Sequence, residues 1–143
     1  MSGYWQDEQK TAQVMTPDGW LRTGDMGWMD DEGYIYLSGR KDDMIIRGGE
    51  NISPEEVEDA LYSHPRVEEA AVIAMPDLEW GQEPMAFVVL KNGETATEEE
   101  IIEYCRAKLS FKRPRVVVFL DSLPRNPMGK VLKRVLREQY LPS

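Results

Sequence analysis

The chain has 143 residues, 41% of them hydrophobic and 30% charged, with a formal net charge of −9 and a single cysteine. That length supports one buried core but not two large ones, and no apolar run is long enough to span a membrane. The lone Cys105 excludes an internal disulfide and a cysteine-built zinc site, and the acidic excess argues against indiscriminate binding of nucleic acid.

Residues 1–18 show no clear period and could form a helix on the edge of something larger. From Trp20 the texture turns strand-like, through "GWLRTGD" into "GWMDDEGYIYLSG", where Asp31-Glu32-Gly33 supplies the turn of a hairpin. That acidic turn lacks the alternating ligands and distal Glu of a calcium loop. "MIIRGGENISPEEVEDALYSH" reads as a short strand, a double-glycine turn and a helix. Ser53 is expected to cap that helix, with Pro54 in its first turn and Glu56 completing a capping box. "VEEAAVIAM" and "PMAFVVL" read as strands around a turn at Trp80-Gly81, and Thr97 with Glu100 as a second capping box opening a helix to Leu109. "VVVFL" gives a third strand, and a last helix is expected from Lys130 to Tyr140. The fold class is therefore α+β: a three-stranded sheet flanked by helices and preceded by a β-hairpin.

Cys105 shares a helical face with Ile101, Ile102 and Leu109, as a small core residue does, and His64 before Pro65 reads as structural. From Arg106 onward ten basic residues face only Asp121 and Glu138, so the C-terminal part is the region suited to an anion. "LPRNPMGKVLKR" looks like half of a phosphate-binding loop. Position 124 is Pro where that motif needs Gly, and Val131 stands where it needs Ser or Thr. In "SFKRPR", Phe111 can flank a purine while Arg113 and Arg115 reach phosphates; sealing the core and solvated charge explain the same stretch as well.

Three segments together, "GWLRTGD" (19–25), "GRKDDMIIRGGENISPEEVE" (39–58) and "PRNPMGK" (124–130), resemble the C-terminal part of the adenylate-forming enzymes. That superfamily comprises acyl-CoA synthetases, luciferases and peptide-synthetase adenylation domains. The resemblance implies that residues 1–41 are the tail end of a large N-terminal domain and 42–143 a mobile C-terminal domain. It implies a carboxylic acid activated by ATP as an acyl-adenylate and passed to coenzyme A, with Mg2+ bound through the nucleotide and the larger domain. Lys130 matches the adenylation lysine, Asp25 and Arg40 the ribose contacts, and Asp42 the hinge. Gly48 and Gly49 match the passage for the pantetheine arm, and Phe111, Arg113 and Arg115 contacts for the nucleotide end of CoA.

"IIRGGENISPEEVE" is more similar to acyl- and aryl-CoA ligases than to domains that load a carrier protein. Loading a carrier protein and a free-standing regulatory or binding module stay open as other classes. The family's acid pocket and main phosphate loop lie outside this segment, so the chain alone is expected to be inactive. Lys130 also resembles lysines silenced by protein acetyltransferases, because acetylation deletes the charge. The N-terminus shows no secretory pattern, so a cytoplasmic protein without a transmembrane segment is expected.

Overall fold

The computed structural model describes residues 9, 12, 13, 15–18, 25–40 and 43–142, with only the backbone given for 25–28 and 36–40. Asp42 and most of "GWLRTGD" lie outside the described residues. The chain forms two compact units, Met1–Asp42 and Asp43–Ser143. In the first, strands β1 (Asp25–Met29) and β2 (Ile35–Arg40) pair antiparallel. Asp30 closes the hairpin, its Oδ1 accepting the amides of Glu32 and Tyr34 at 3.0 Å each. Gly33 supplies the positive φ of +89° that the turn requires.

The second unit is built on β3 (Ile45–Arg47), β4 (Glu50–Ile52), β5 (Val67–Asp77), β6 (Gly81–Leu90) and β7 (Val116–Phe119). The α+β class holds, but the sheet has five strands rather than three, because β3 and β4 form a hairpin that extends it. β6 is central, with β5 antiparallel along one edge; on the other, β3 meets its start and β7 runs parallel to its second half. This placement explains why Glu83–Val89 is buried throughout, since both faces of β6 are covered.

Alternate residues feed two cores. Val72, Ala86 and Val88 join Val57, Leu61, Ile101 and Cys105 on one face, while Ile73, Met85 and Phe87 join Leu123 and Leu136 on the other. The first face is covered by α1 (Pro54–Tyr62) and α2 (Glu98–Leu109), the second by α3 (Lys133–Tyr140) and the segment before it. Glu58 of α1 accepts the Val72 amide at the open edge of β5 (2.9 Å) and pairs with Lys133 of α3 (2.8 Å). That contact occupies a backbone donor that would otherwise be available on an edge strand.

The helix starts differ from the sequence reading in two of three cases. Thr97 and Glu100 form the expected reciprocal box at α2. At α1, Ser53 makes no capping bond: its hydroxyl donates to Glu55 (2.9 Å), and Glu56 is drawn to Lys112 (3.1 Å). α3 begins at Lys133, three residues later than expected, because Arg125 and Val131 form a backbone bridge and the Leu132 amide donates to the Pro124 carbonyl (2.8 Å).

Candidate functional site

Lys130 therefore sits not at a helix start but at the end of a closed loop. Asn126 organises it: its side-chain oxygen accepts the amides of Met128 (3.0 Å) and Lys130 (2.9 Å), and its own amide donates to the Lys130 carbonyl (2.9 Å). Gly129 takes a φ of +88°, which the tight return needs. Arg125 donates to the Gly129 carbonyl (2.6 Å) and forms an ion pair with Glu69 near the start of β5. The Lys130 side chain is exposed, and among the described residues no carboxylate engages its ammonium. A backbone held by these four hydrogen bonds presents one unneutralised cation to solvent.

A second cluster lies at the other end of β5. Arg47, Asp77, Trp80, Glu83, Phe111, Arg113 and Arg115 line a cleft of about 190 Å³. Arg47 ends β3, Asp77 ends β5, Trp80 closes the β5–β6 turn, Glu83 lies on β6, and Phe111, Arg113 and Arg115 follow α2 in and after the short 3-10 helix Ser110–Lys112. Ser110 opens that helix at a φ of +56°, the one non-glycine residue with positive φ among those described. Such local strain redirects the chain so that Phe111, Arg113 and Arg115 face the cleft.

The walls are aromatic and the rim basic. Trp80 and Phe111 are 39% and 38% exposed, and the Arg47 guanidinium lies 4.1 Å from the Trp80 ring centre and 5.8 Å from that of Phe111. Asp77, Glu83 and the neighbouring Glu79 balance the three arginines formally, but the first two are already committed. Glu83 pairs with Arg47 (2.9 Å), and Asp77 accepts the amides of Trp80 (2.8 Å) and Glu79 (2.9 Å). The Trp80 amide above all, then that of Glu79 and the charges of Arg115 and Arg47, holds the Asp77 carboxyl below its ordinary value. Arg113 and Arg115 have no carboxylate in ion-pair range among the described residues. Arg113 donates only to the Ser110 carbonyl (3.4 Å).

Asp77 lies eight residue steps beyond Glu69 along β5, which sets the two anchor points roughly 26 Å apart along the strand. The expected Lys130 and the expected trio of Phe111, Arg113 and Arg115 thus occupy opposite ends of one rigid element. Asp25 and Arg40 stand directly opposite each other in the β1–β2 register. Gly48 and Gly49 form the β3–β4 turn with φ of +56° and +88°; a β-carbon on Gly48 would stand 2.8 Å from Trp80, whereas Gly49 faces open space. Sequence reasoning missed Arg47, Asp77, Trp80 and Glu83, although a carboxylate inside the apolar run of β6 was a readable signal.

Cys105 is buried, and burial pushes its thiol up to about 11, far from a nucleophile's range. His64 packs edge-on against Tyr104 (4.6 Å), and its Nδ1 accepts the Arg66 amide (3.1 Å), both structural contacts. Burial, then the nearby Arg66 charge, lowers its pKa. Among the described residues no group of three or more His, Cys, Asp or Glu could hold a metal ion, and no helix is long and apolar enough to cross a membrane.

Comparison with known proteins places this arrangement. The AMP-binding enzyme C-terminal domain pattern matches residues 56–130. The chain is 52% identical over 141 residues to 2-methylpropanoate–CoA ligase CCL4 of Humulus lupulus, covering 96% of this chain and 25% of that protein. It is 49% identical to the mitochondrial medium-chain acyl-CoA ligase ACSF2 of Rattus norvegicus, covering 97% and 23%. Among solved structures, ATP-bound MatB from Rhodopseudomonas palustris superposes with a TM-score of 0.88 at 42% identity, covering 96% and 28%. The chain spans about a quarter of the length of these relatives.

Proposed function

The chain belongs to the AMP-binding enzyme C-terminal domain family, and from that premise we propose that it serves an ATP-dependent acyl-CoA ligase, acting with a larger preceding domain that binds the acid. In the first step a carboxylate oxygen attacks the α-phosphorus of ATP, and the bond to the β-phosphate oxygen breaks as pyrophosphate leaves. Lys130 stabilises the negative charge shared by the α-phosphoryl oxygens and the leaving group. In the second step the CoA thiol, losing its proton, attacks the acyl carbonyl carbon and expels AMP. Asp25 and Arg40, register partners at the hairpin's open end, hold the ATP ribose in this reading, a carboxylate accepting both vicinal hydroxyls. Mg2+ enters bound to the nucleotide phosphates and held by the larger domain.

Asp42 is the pivot. It is the last residue of the first compact unit, so a few backbone torsions there can exchange the two ends of β5 at one centre. Asp42→Pro is expected to slow one half-reaction selectively; unchanged rates in both would remove this role. The observation that carries the assignment of CoA is the joining of Trp80, Phe111, Arg113 and Arg115 in one cleft. An aromatic pair with unpaired guanidiniums suits an adenine and its phosphates, and Gly48 and Gly49 beside it leave the pantetheine arm a low wall to cross. A carrier protein brings the same thiol arm without the adenine, so this cleft favours CoA as acceptor.

The test uses the full-length ligase, after ATP–pyrophosphate exchange over a panel of acids has identified one it activates. Joint replacement of Phe111, Arg113 and Arg115 by Ala is expected to raise the KM for CoA at least tenfold, since one base–aromatic stack is worth about 1–3 kcal/mol. An unchanged KM would remove the CoA assignment. Lys130→Ala should cut adenylate formation about a hundredfold or more while thioester formation from supplied acyl-adenylate persists; equal loss in both would reject its role. The acid itself is set elsewhere, as relatives named for 2-methylpropanoate and for medium-chain acyl groups match this segment about equally. An exposed, unpaired Lys130 also suits control by a protein acetyltransferase, checked by mass spectrometry of the protein from cells; a lysine never acetylated would void that idea. A cytoplasmic setting supplying both ATP and CoA completes the reading.

A further inference from the structure

Glu83 is the one charged residue buried among those described, 5% exposed in the middle of the apolar run of β6. Its partner is Arg47, whose Nε donates to Oε1 at 2.9 Å, and both side chains are largely removed from solvent. Burying an ion pair is costly, and a packed apolar pair of similar volume is commonly as stable or more so. Stability alone therefore gives little reason for a carboxylate at this position. Its location gives one: the pair forms the floor of the cleft that Trp80 and Phe111 wall.

The contact geometry shows what the pair does. Glu83 engages the guanidinium through Nε, and no other hydrogen bond to that group is present among the described residues. The group lies within cation–π range of both rings, 4.1 Å from the Trp80 centre and 5.8 Å from that of Phe111. Trp80 is otherwise held through its backbone, by Asp77 at its amide and by the Gly48 amide at its carbonyl (2.8 Å). Its indole side chain touches Gly48 on one flank. Without Arg47, nothing charged or bonded fixes the ring's remaining freedom. Without Glu83, an arginine on a short edge hairpin has water as an alternative.

We propose that Glu83 is a positioning residue that acts through Arg47, holding the guanidinium under Trp80 and Phe111 so that the two rings are set for a nucleotide base before it arrives. The inference rests on the reading of this cleft as the nucleotide site of CoA. Its physical content is preorganisation: ordering Trp80 in the free protein removes that cost from the binding step. A purely structural ion pair would affect folding and binding in proportion. A positioning pair separates them.

The experiment is a titration of the isotope-labelled 143-residue chain with adenosine 3′,5′-bisphosphate and, separately, with pantetheine. The readout is the Trp80 indole N–H resonance, assigned with Trp80→Phe. The bisphosphate should shift this resonance in the wild-type chain, and pantetheine should not. Glu83→Gln and Arg47→Lys should each weaken the bisphosphate about tenfold. Arg47→Lys keeps the charge and the partner for Glu83, so its thermal midpoint should stay near wild type while affinity falls. It also keeps the proposal testable should Glu83→Gln fold poorly. Binding within twofold of wild type in both variants would overturn the positioning role and leave the nucleotide reading standing. Affinity lost only in proportion to the unfolded fraction would make the pair structural and overturn it too. No shift with bisphosphate in the wild-type chain would bring down the nucleotide reading, and this inference with it.

Discussion

Gly48→Ala and Gly49→Ala form a matched pair that tests how Trp80 is seated. Both glycines sit at positive φ, +56° and +88°, where an L side chain costs about 1–2 kcal/mol. Both substitutions also stiffen the unfolded chain, returning about 0.4–1 kcal/mol. These terms largely cancel between the two variants. What remains is the new β-carbon at 48, which would stand 2.8 Å from Cε3 and 3.2 Å from Cζ3 of Trp80, whereas at 49 it meets nothing within 4 Å. Overpacking of this kind typically costs about 1–3 kcal/mol; because Trp80 is partly exposed and can swing outward, the lower half of that range is expected. Gly48→Ala should therefore be less stable than Gly49→Ala by roughly 1–2 kcal/mol, a separation of about 0.5–1 M in urea midpoint at a slope near 2 kcal/mol/M. The Trp80 indole resonance should move in the first variant only. Equal midpoints, or a larger loss at 49, would refute the close approach, and with it the idea that the double glycine serves the aromatic wall.

Asn126→Ala removes the acceptor of two loop amides; it should cost on the order of 1 kcal/mol in stability and slow adenylate formation about tenfold through a misplaced Lys130, and wild-type rates would show that the loop needs no such brace. Acid titration should leave the 77–80 turn intact down to the ordinary aspartate value of 3.8 and dismantle it below. The depressed carboxyl stabilises the fold above that value and ceases to as it protonates. The Trp80 backbone amide shift reports this, and the same profile in Asp77→Asn would refute it. Cys105, with its thiol pushed up to about 11, should resist a thiol-reactive disulfide at pH 8 until the chain unfolds; rapid stoichiometric labelling of the native chain would contradict its burial.

What the sequence reveals about this fold follows the range of the forces involved. α2 is legible to its last residue because both its capping box and its apolar stripe are local. β5 and β6 are legible because continuous apolar runs mark buried strands. Ser53 misleads, since its box partner Glu56 is claimed by Lys112 from 56 positions away. β4 hides because "ENI" carries no period and becomes a strand only through its partner β3. The start of α3 is displaced by a bridge, Arg125 with Val131, that local propensity does not encode. The sites divide the same way. Lys130 and the Phe111–Arg115 stretch are contiguous motifs and can be matched, whereas Arg47 at the end of β3 reaches the Asp77–Trp80 turn only through the pairing of β3 with β6. Their meeting is a property of register, which no single window of sequence contains.

The length of β5 has a consequence for order of events. An active centre narrower than that strand can meet the Lys130 loop or the aromatic cleft, never both at once. If one centre serves the two steps, the thiol is kept away while pyrophosphate departs and the lysine is kept away while the thioester forms. Mutual exclusion then comes from a ruler built into the sheet, with no inhibitor or separate gate required.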